Sequence, residues 1–367
     1  MEKGDILSFM MITKLVRIDE LHMDEAAICE AGRVLAGGGL VAFPTETVYG
    51  LGANGLDSEA SSRIYEAKGR PSDNPLILHI TSMEELYPLA AEIPKTALAL
   101  AETFWPGPLT MIFKKTELVP HETTGGLDTV AVRMPSHPVA RAIIRAAGVP
   151  IAAPSANASG RPSPTKALHV LEDLDGRVDM VVDGGTVGIG LESTIIDVSG
   201  EKPVILRPGY ITEEMLASLI GTVELDPAVT GRPGADVRPR APGMKYRHYA
   251  PKAEVTVFLG SPTEVCAAIE EALRKASSAG KRAGVLCTEE SERFYEAPVK
   301  KCAGSRNEPE SVARSLYDVL RAFDREQVDC IFSESFEESP LGGAIMNRLL
   351  KAAGYRVVRC GETSPPG

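Results

Sequence analysis

Asp57-Ser58-Glu59-Ala60-Ser61-Ser62-Arg63-Ile64-Tyr65-Glu66-Ala67-Lys68-Gly69-Arg70-Pro71-Ser72-Asp73-Asn74-Pro75-Leu76-Ile77-Leu78-His79-Ile80 contains a helix, a turn and a strand in succession. Asp57 is a good N-cap, because its carboxylate can accept from the unpaired amides of the first turn. Gly69 suits the left-handed residue that ends a helix after Lys68. Pro71 and Pro75 then stiffen the turn, and the apolar run 76–80 reads as a strand. Moving outward, further strands are predicted at 40–43, 109–113, 129–133, 150–153, 180–183, 194–197 and 204–206. A helix from Asp24 to Ala36 is stopped by Gly37 to Gly39. Pro138 opens another that ends at Gly148, and Thr212 caps one more. Helices interleaved with strands predict an α/β layer fold. Several strands follow each other through short links, so this sheet is predicted to be mixed.

Residues 12–225 thus form one unit. From 226 to 252 the periodic pattern disappears. Pro227, Pro233, Pro239, Pro242 and Pro251 occur there with several glycines and arginines, as in a linker, yet Tyr246, His248 and Tyr249 are unusual for a plain spacer. A loop this long is either flexible or functional. Residues 253–360 resume as strands at 254–258, 282–286, 328–332 and 355–358. The intervening helices run from Ser261-Pro262, over 309–324 and from Pro340. That alternation predicts a smaller, parallel, Rossmann-like domain.

The chain has 367 residues, 44% of them hydrophobic and 24% charged, which suits a core-forming protein and argues against disorder. No apolar run approaches the roughly 18–20 residues of a membrane span. The start has no signal-like pattern, and a cytoplasmic protein without membrane contact is expected. The six cysteines are scattered, with no C-x-x-C pair, so a structural zinc site is not expected and the thiols are predicted to be mostly small buried hydrophobes. The net charge of −11 repels a polyphosphate backbone as a whole, so nucleic acid would have to meet a local basic patch.

Chemistry concentrates at strand ends. Lys68 and Arg70 sit on a turn fixed by proline and glycine, with Asn74 beside them. A rigid loop bearing cations is a good phosphate site, Arg70 as a fork and Lys68 as a point charge. Lys68 alone could simply complement its helix dipole. Arg133 ends a strand where it can meet a carboxylate or form a surface ion pair. Small residues at 152–156 let a ligand approach the backbone, and Ser155 can hydrogen-bond phosphate. Ser163 precedes a helix start, which favours anions, or is only a turn residue. Ser193 and Arg207 flank the last two strands of the unit. His79 is either a satisfied core histidine or a ligand contact. Gly50-Leu51-Gly52-Ala53-Asn54-Gly55 imitates a dinucleotide fingerprint, but no acidic residue follows at the right distance. These glycines are expected to form tight turns beside a ligand. There is no Walker loop.

Taken in order, Pro44-Thr45-Glu46-Thr47-Val48-Tyr49-Gly50-Leu51, Lys68-Gly69-Arg70-Pro71, Asn74-Pro75-Leu76, Trp105-Pro106-Gly107-Pro108, Val132-Arg133-Met134-Pro135, Pro154-Ser155-Ala156-Asn157, Glu192-Ser193-Thr194 and Arg207-Pro208-Gly209 resemble the Sua5/YrdC family of threonylcarbamoyl-AMP synthases. The stretch 241–251 is similar to the linker of the longer Sua5 branch, which carries an extra C-terminal domain. The resemblance implies a YrdC-like twisted mixed sheet at 12–225, a lid-forming linker at 226–252 and a Sua5 C-terminal domain at 253–360. It implies that L-threonine, bicarbonate and ATP give threonylcarbamoyl-AMP and pyrophosphate. That product serves the N6-threonylcarbamoyl modification of adenosine 37 in tRNAs reading codons that begin with A, through a separate transferase complex. By the same resemblance Lys68 and Arg70 are catalytic. Thr47, His79, Arg133, Ala153 and Ser193 contact threonine, and Lys68, Arg70, Asn74, Thr129, Ser155, Ser163, Arg207 and Tyr246 hold ATP. Magnesium would accompany the triphosphate without a protein cage, and Tyr246 would help the linker cover the site. A weak tRNA contact is possible. An RNA-binding YrdC-like module without synthase activity is the alternative; the acidic charge and the threonine-type residue set count against it. A hydrogenase-maturation carbamoyltransferase would need paired C-x-x-C motifs, which are absent.

Overall fold

A computed structural model describes residues 12–231, 239–244, 248–336 and 339–361. The first unit is built on an eleven-stranded sheet. Its strands are β1 (Lys14–Arg17), β2 (Val41–Phe43), β3 (Gly50–Asn54), β4 (Ile77–His79), β5 (Leu109–Lys114), β6 (Thr129–Arg133), β7 (Ile151–Ala152), β8 (Met180–Asp183), β9 (Thr194–Asp197), β10 (Val204–Arg207) and β11 (Glu224–Leu225). Their spatial order is β1-β8-β2-β3-β7-β4-β6-β5-β9-β10-β11. β4 runs parallel to β6 and antiparallel to β7, while β5 is antiparallel to β6 and parallel to β9. The sheet is therefore mixed. The helices of this unit are α1 (Glu25–Ala36), α2 (Ser58–Lys68), α3 (Lys95–Phe104), α4 (His121–Thr124), α5 (Pro138–Ala147), α6 (Ala167–Leu174) and α7 (Glu213–Ile220), followed by α8 (Pro227–Thr230).

The caps act as the sequence indicated. Asp57 accepts from the amides of Glu59 and Ala60, and Gly69 ends α2 at φ 60°. Asp24 and Thr212 cap α1 and α7 in the same way. α1 and α5 cover one face of the sheet with Leu35, Phe43, Ile143 and Ile151 in a common core. A larger apolar cluster fills the other face.

The glycine run departs from expectation. Gly50 to Asn54 is a strand, not a turn. A methyl at Gly52 would come within 2.6 Å of Phe43, and one at Gly55 within 2.2 Å of Leu78. These glycines serve close packing within the sheet. The short strands β1 and β11 and the helix α3 lie outside the sequence-based expectation, whereas α6 follows Ser163 as expected.

The second unit has a five-stranded, wholly parallel sheet of β12 (Glu254–Leu259), β13 (Ala283–Cys287), β14 (Val299–Cys302), β15 (Cys330–Ser333) and β16 (Val357–Arg359), ordered β14-β13-β15-β12-β16. Its helices are α9 (Pro262–Ser278), α10 (Pro309–Glu326) and α11 (Gly342–Ala352). Ser261 and Glu264 form a reciprocal capping box on α9. The apolar core around α10 and α11 extends to Val48 and Leu191 of the first unit and Tyr249 of the linker, so the two units meet through buried side chains. The cysteines correct the expectation of burial: Cys287 is buried, Cys29 is exposed and the other four are half-buried, none in a disulfide. Among the described residues no helix is long and apolar enough to cross a membrane.

Candidate active site

One crevice opens where β4, β6, β7 and β10 end and β9 begins. Thr47, Lys68, Arg70, His79, Arg133, Ala153, Ser155, Ser193 and Arg207 all line it, as do Glu192, Pro242, Gly243, His248 and Tyr249. Asn74, Thr129 and Ser163 are not among its lining residues. Thr129 begins β6 at the end away from Arg133. Asn74 is buried behind the Arg70 turn, its carbonyl accepting from Arg70. Ser163 is fully buried and donates to Glu192 Oε1 at 2.5 Å. Tyr246 lies outside the described residues.

Arg133 is 4% exposed at the end of β6. Its Nη1 donates to Thr47 Oγ1 at 2.9 Å, its Nε to the Gly107 carbonyl at 3.3 Å, and its Nη2 lies 2.7 Å from Glu46 Oε1. That last contact has ion-pair distance without hydrogen-bond geometry, so this face of the fork keeps donor capacity for a ligand carboxylate. Thr45 Oγ1 donates to the Val48 carbonyl at 2.7 Å, and the Thr47 hydroxyl lies 2.8 Å from Thr45 Oγ1. A consistent proton order therefore runs from Arg133 to Thr47 to Thr45. Burial opposes ionisation of Glu46, yet the Arg133 guanidinium holds its carboxyl below the usual range.

His79 contacts the Ile77 carbonyl through Nδ1 at 3.1 Å. A carbonyl can only accept, so Nδ1 carries the proton and Nε2 is left as an acceptor. Burial first, then the Arg133 charge, lowers its pKa to about 3. His79 is thus a neutral acceptor.

The cations opposite are held by carbonyls. Lys68 donates to the carbonyls of Ser155 and Asn157. Arg70 donates to those of Asn74 at 3.2 Å and Pro75 at 3.0 Å. Arg207 donates to the Ser193 carbonyl at 3.1 Å, to Ser193 Oγ at 3.2 Å and to the Pro242 carbonyl at 3.2 Å. Burial lowers the pKa of all three, Arg70 to about 10 and Lys68 well below the lysine range. Together with Arg133, four basic side chains face one crevice in a chain whose net charge is −11; Lys68, Arg133 and Arg207 are buried and Arg70 is half-buried. Glu192 is the single carboxylate among the lining residues. It is occupied by Ser163, by Tyr317 OH at 2.8 Å and by Arg348 Nε at 3.0 Å; burial raises its pKa, but the charges of Arg348 and Arg207, with the Ser163 hydroxyl, bring it down to about 2. The crevice is built for anions.

Pro242, Gly243, His248 and Tyr249 are the part of this lining that comes from the stretch after the first unit. Tyr249 adopts a left-handed φ of 64°, uncommon for a bulky residue. It is kept there by burial and by stacking on Tyr317, ring centroids 5.2 Å apart. Sequence reasoning found the basic and small residues of the walls. It missed Tyr317, Arg348 and Lys351, which no local motif marks.

The threonylcarbamoyl-AMP synthase of Bacillus subtilis is 49% identical to this chain over 342 residues, 93% of this chain and 97% of that protein. The chain belongs to the threonylcarbamoyl-AMP synthase family. The family model described as "Telomere recombination" (Sua5, YciO, YrdC) matches residues 33–209, and that described as "Threonylcarbamoyl-AMP synthase, C-terminal domain" matches residues 211–354. The synthase of Pyrococcus abyssi is 50% identical over 348 residues, 95% of this chain and all of that protein. The crystal structure of P. abyssi Sua5 complexed with L-threonine superposes with a TM-score of 0.90, covering 95% of this chain and 99% of that one. The long, two-unit form of the family is therefore the form seen here.

Proposed function

We propose that this chain condenses L-threonine, bicarbonate and ATP into threonylcarbamoyl-AMP and pyrophosphate. The observation that carries the proposal is the crevice lined by Lys68, Arg70, Arg133 and Arg207 and a neutral histidine, in a chain whose relatives of about half identity bear the synthase name. Threonine's amine and bicarbonate give a carbamate and water. A carbamate oxygen then bonds to the α-phosphorus of ATP as the bond to the pyrophosphate oxygen breaks. Such a transfer needs positioning and charge neutralisation more than covalent help from the protein.

Arg133 would pair with the threonine carboxylate, with Thr47, Ser193 and the Ala153 backbone around it, and His79 Nε2 would accept from the amine. Lys68, Arg70, Ser155 and Arg207 would hold the triphosphate. Asn74, Thr129 and Ser163 would act from behind or beside the walls, and Tyr246 from the linker. Magnesium would ride on the phosphate oxygens, since the one lining carboxylate already has three partners; among the described residues no three metal-ligating side chains cluster. Pro242, Gly243, His248 and Tyr249 lining the crevice support a lid that keeps water from the carbamate and adenylate. The product would pass to a separate transferase for tRNA modification in the cytoplasm. The test is pyrophosphate release by the full chain: it should require threonine and bicarbonate together. ATP cleavage indifferent to either, or RNA binding without cleavage, would overturn the proposal.

A further inference from the structure

The residues assigned to ATP and threonine all come from the first unit and the linker, yet the walls they stand on are gripped from the second. Arg348, in the middle of α11, is wholly buried. Its Nε donates to Glu192 Oε2 at 3.0 Å, its Nη2 to the Glu192 carbonyl at 3.2 Å, and its Nη1 to the Pro208 carbonyl. Glu192 immediately precedes Ser193, and Pro208 immediately follows Arg207. The fork therefore ties the segment leading into β9 to the segment leaving β10. Those two segments bring the Arg207 guanidinium onto Ser193 Oγ and the Ser193 carbonyl. One turn along α11, Lys351 donates to the Gly243 carbonyl of the crevice lining at 2.8 Å.

We propose that Arg348 is a positioning residue for the synthase reaction: across the boundary between the units it sets the Ser193–Arg207 pair, so the site is incomplete without α11. This rests on the reading of the crevice as the synthase site. A boundary that needed only cohesion could use apolar side chains, because burying an ion pair gains little over well-packed hydrophobes. What a guanidinium adds is direction, and two of its three nitrogens reach backbone carbonyls of the wall segments.

The test uses the full chain and compares wild type, Arg348→Met, and Arg348→Met combined with Glu192→Gln. Glu192 is faced by Arg348 and Lys351 from α11, Tyr317 from α10, Arg207 from β10, and His248 and Tyr249 from the linker. Removing Arg348 takes away its principal counter-charge, so its carboxyl should titrate at higher pH. The protonated, neutral form is the one the altered site tolerates. Arg348→Met should raise the KM for ATP about tenfold or more, and its kcat/KM should fall more steeply with rising pH than that of wild type. The double variant should lose that pH dependence, because glutamine needs no counter-charge, and keep the raised KM, because Pro208 and the Ser193 segment stay untied. Arg348→Met with wild-type KM values and a wild-type pH profile would overturn the proposal. If the single variant does not fold, a folded double variant with wild-type constants would overturn it equally. A wild-type protein without threonine-dependent turnover would instead refute the reading of the site itself.

Discussion

Replacing Lys68 by methionine should make the protein more stable and nearly inactive at once. Lys68 is 3% exposed, and its ammonium meets two backbone carbonyls. Burial, with the Arg70 charge beside it, lowers its pKa well below the lysine range; Asp173 opposes this only in part. A buried cation costs several kcal/mol of lost hydration, and charged hydrogen bonds to two carbonyls recover about 1.5–3 kcal/mol each. Methionine fills nearly the same volume without the charge. The depressed pKa shows that the cost exceeds the recovery, so even with two carbonyls left short of a donor the substitution should stabilise slightly, by at most about 1 kcal/mol, or ~2–4 °C in Tm for a unit of this size. The sign with pH follows from linkage. The folded-state pKa is depressed, so this part of wild-type stability is missing near neutrality and grows as pH rises toward the ordinary lysine pKa of about 10.4. The advantage of Lys68→Met should therefore shrink between pH 7 and about 10. Losing a charge-assisted phosphate contact worth about 3 kcal/mol should cut kcat/KM for ATP by ~100-fold. Urea unfolding at several pH values and pyrophosphate release measure the two sides. A variant destabilised by more than about 1 kcal/mol, or one turning over normally, would refute the reasoning.

Arg133→Met should raise the KM for threonine by ~100-fold and destabilise the fold by about 3 kcal/mol, because Glu46 is left buried without its cation; adding Glu46→Gln should recover stability but not KM. Burial, with Arg348 and Arg207 nearby, lowers the Lys351 pKa to about 7. Wild-type stability should thus rise by ~1 kcal/mol per pH unit above pH 7 relative to Lys351→Met, a slope difference that urea titrations at pH 7, 8 and 9 would reveal or exclude. Truncation after Asp226 should lower synthesis sharply, since it removes the linker together with Arg348 and Tyr317; unchanged turnover would end the lid account. Gly190→Ala should loosen the seating of α10, because a methyl there, at φ 85°, would lie 2.4 Å from Arg314 Cα. Limited proteolysis between the units should accelerate, and an unaltered cleavage rate would count against that contact.

Features with a local physical cause were legible in the sequence. Asp57 and Gly69 bracket α2 because capping and left-handed conformation are written in single residues. Lys68, Arg133 and Arg207 stood out because each ends a regular element, and Arg70 because it follows Lys68 on a turn held by Gly69 and Pro71. β3 was hidden because glycines that pack closely against Phe43 and Leu78 look like turn residues until their neighbours are known. β11 is two exposed residues and carries no pattern. The carboxylate–arginine centre was invisible for a different reason: Glu192 and Arg348 are 156 positions apart, and nothing near Arg348 distinguishes it from a surface arginine of an amphipathic helix. Ser163 looked like an anion-binding turn residue, yet α6 starts only at Ala167 and the Ser163 hydroxyl is directed at Glu192.

The central claim is that one crevice joins bicarbonate, threonine and ATP. Supplying the full chain with ¹³C-bicarbonate, threonine and ATP and weighing the nucleotide products tests it most directly. The account predicts an adenylate whose mass includes both threonine and one labelled carbon, absent when threonine is omitted and lost in Lys68→Met. AMP or ADP without the label, or a labelled product formed equally well without threonine, would contradict it.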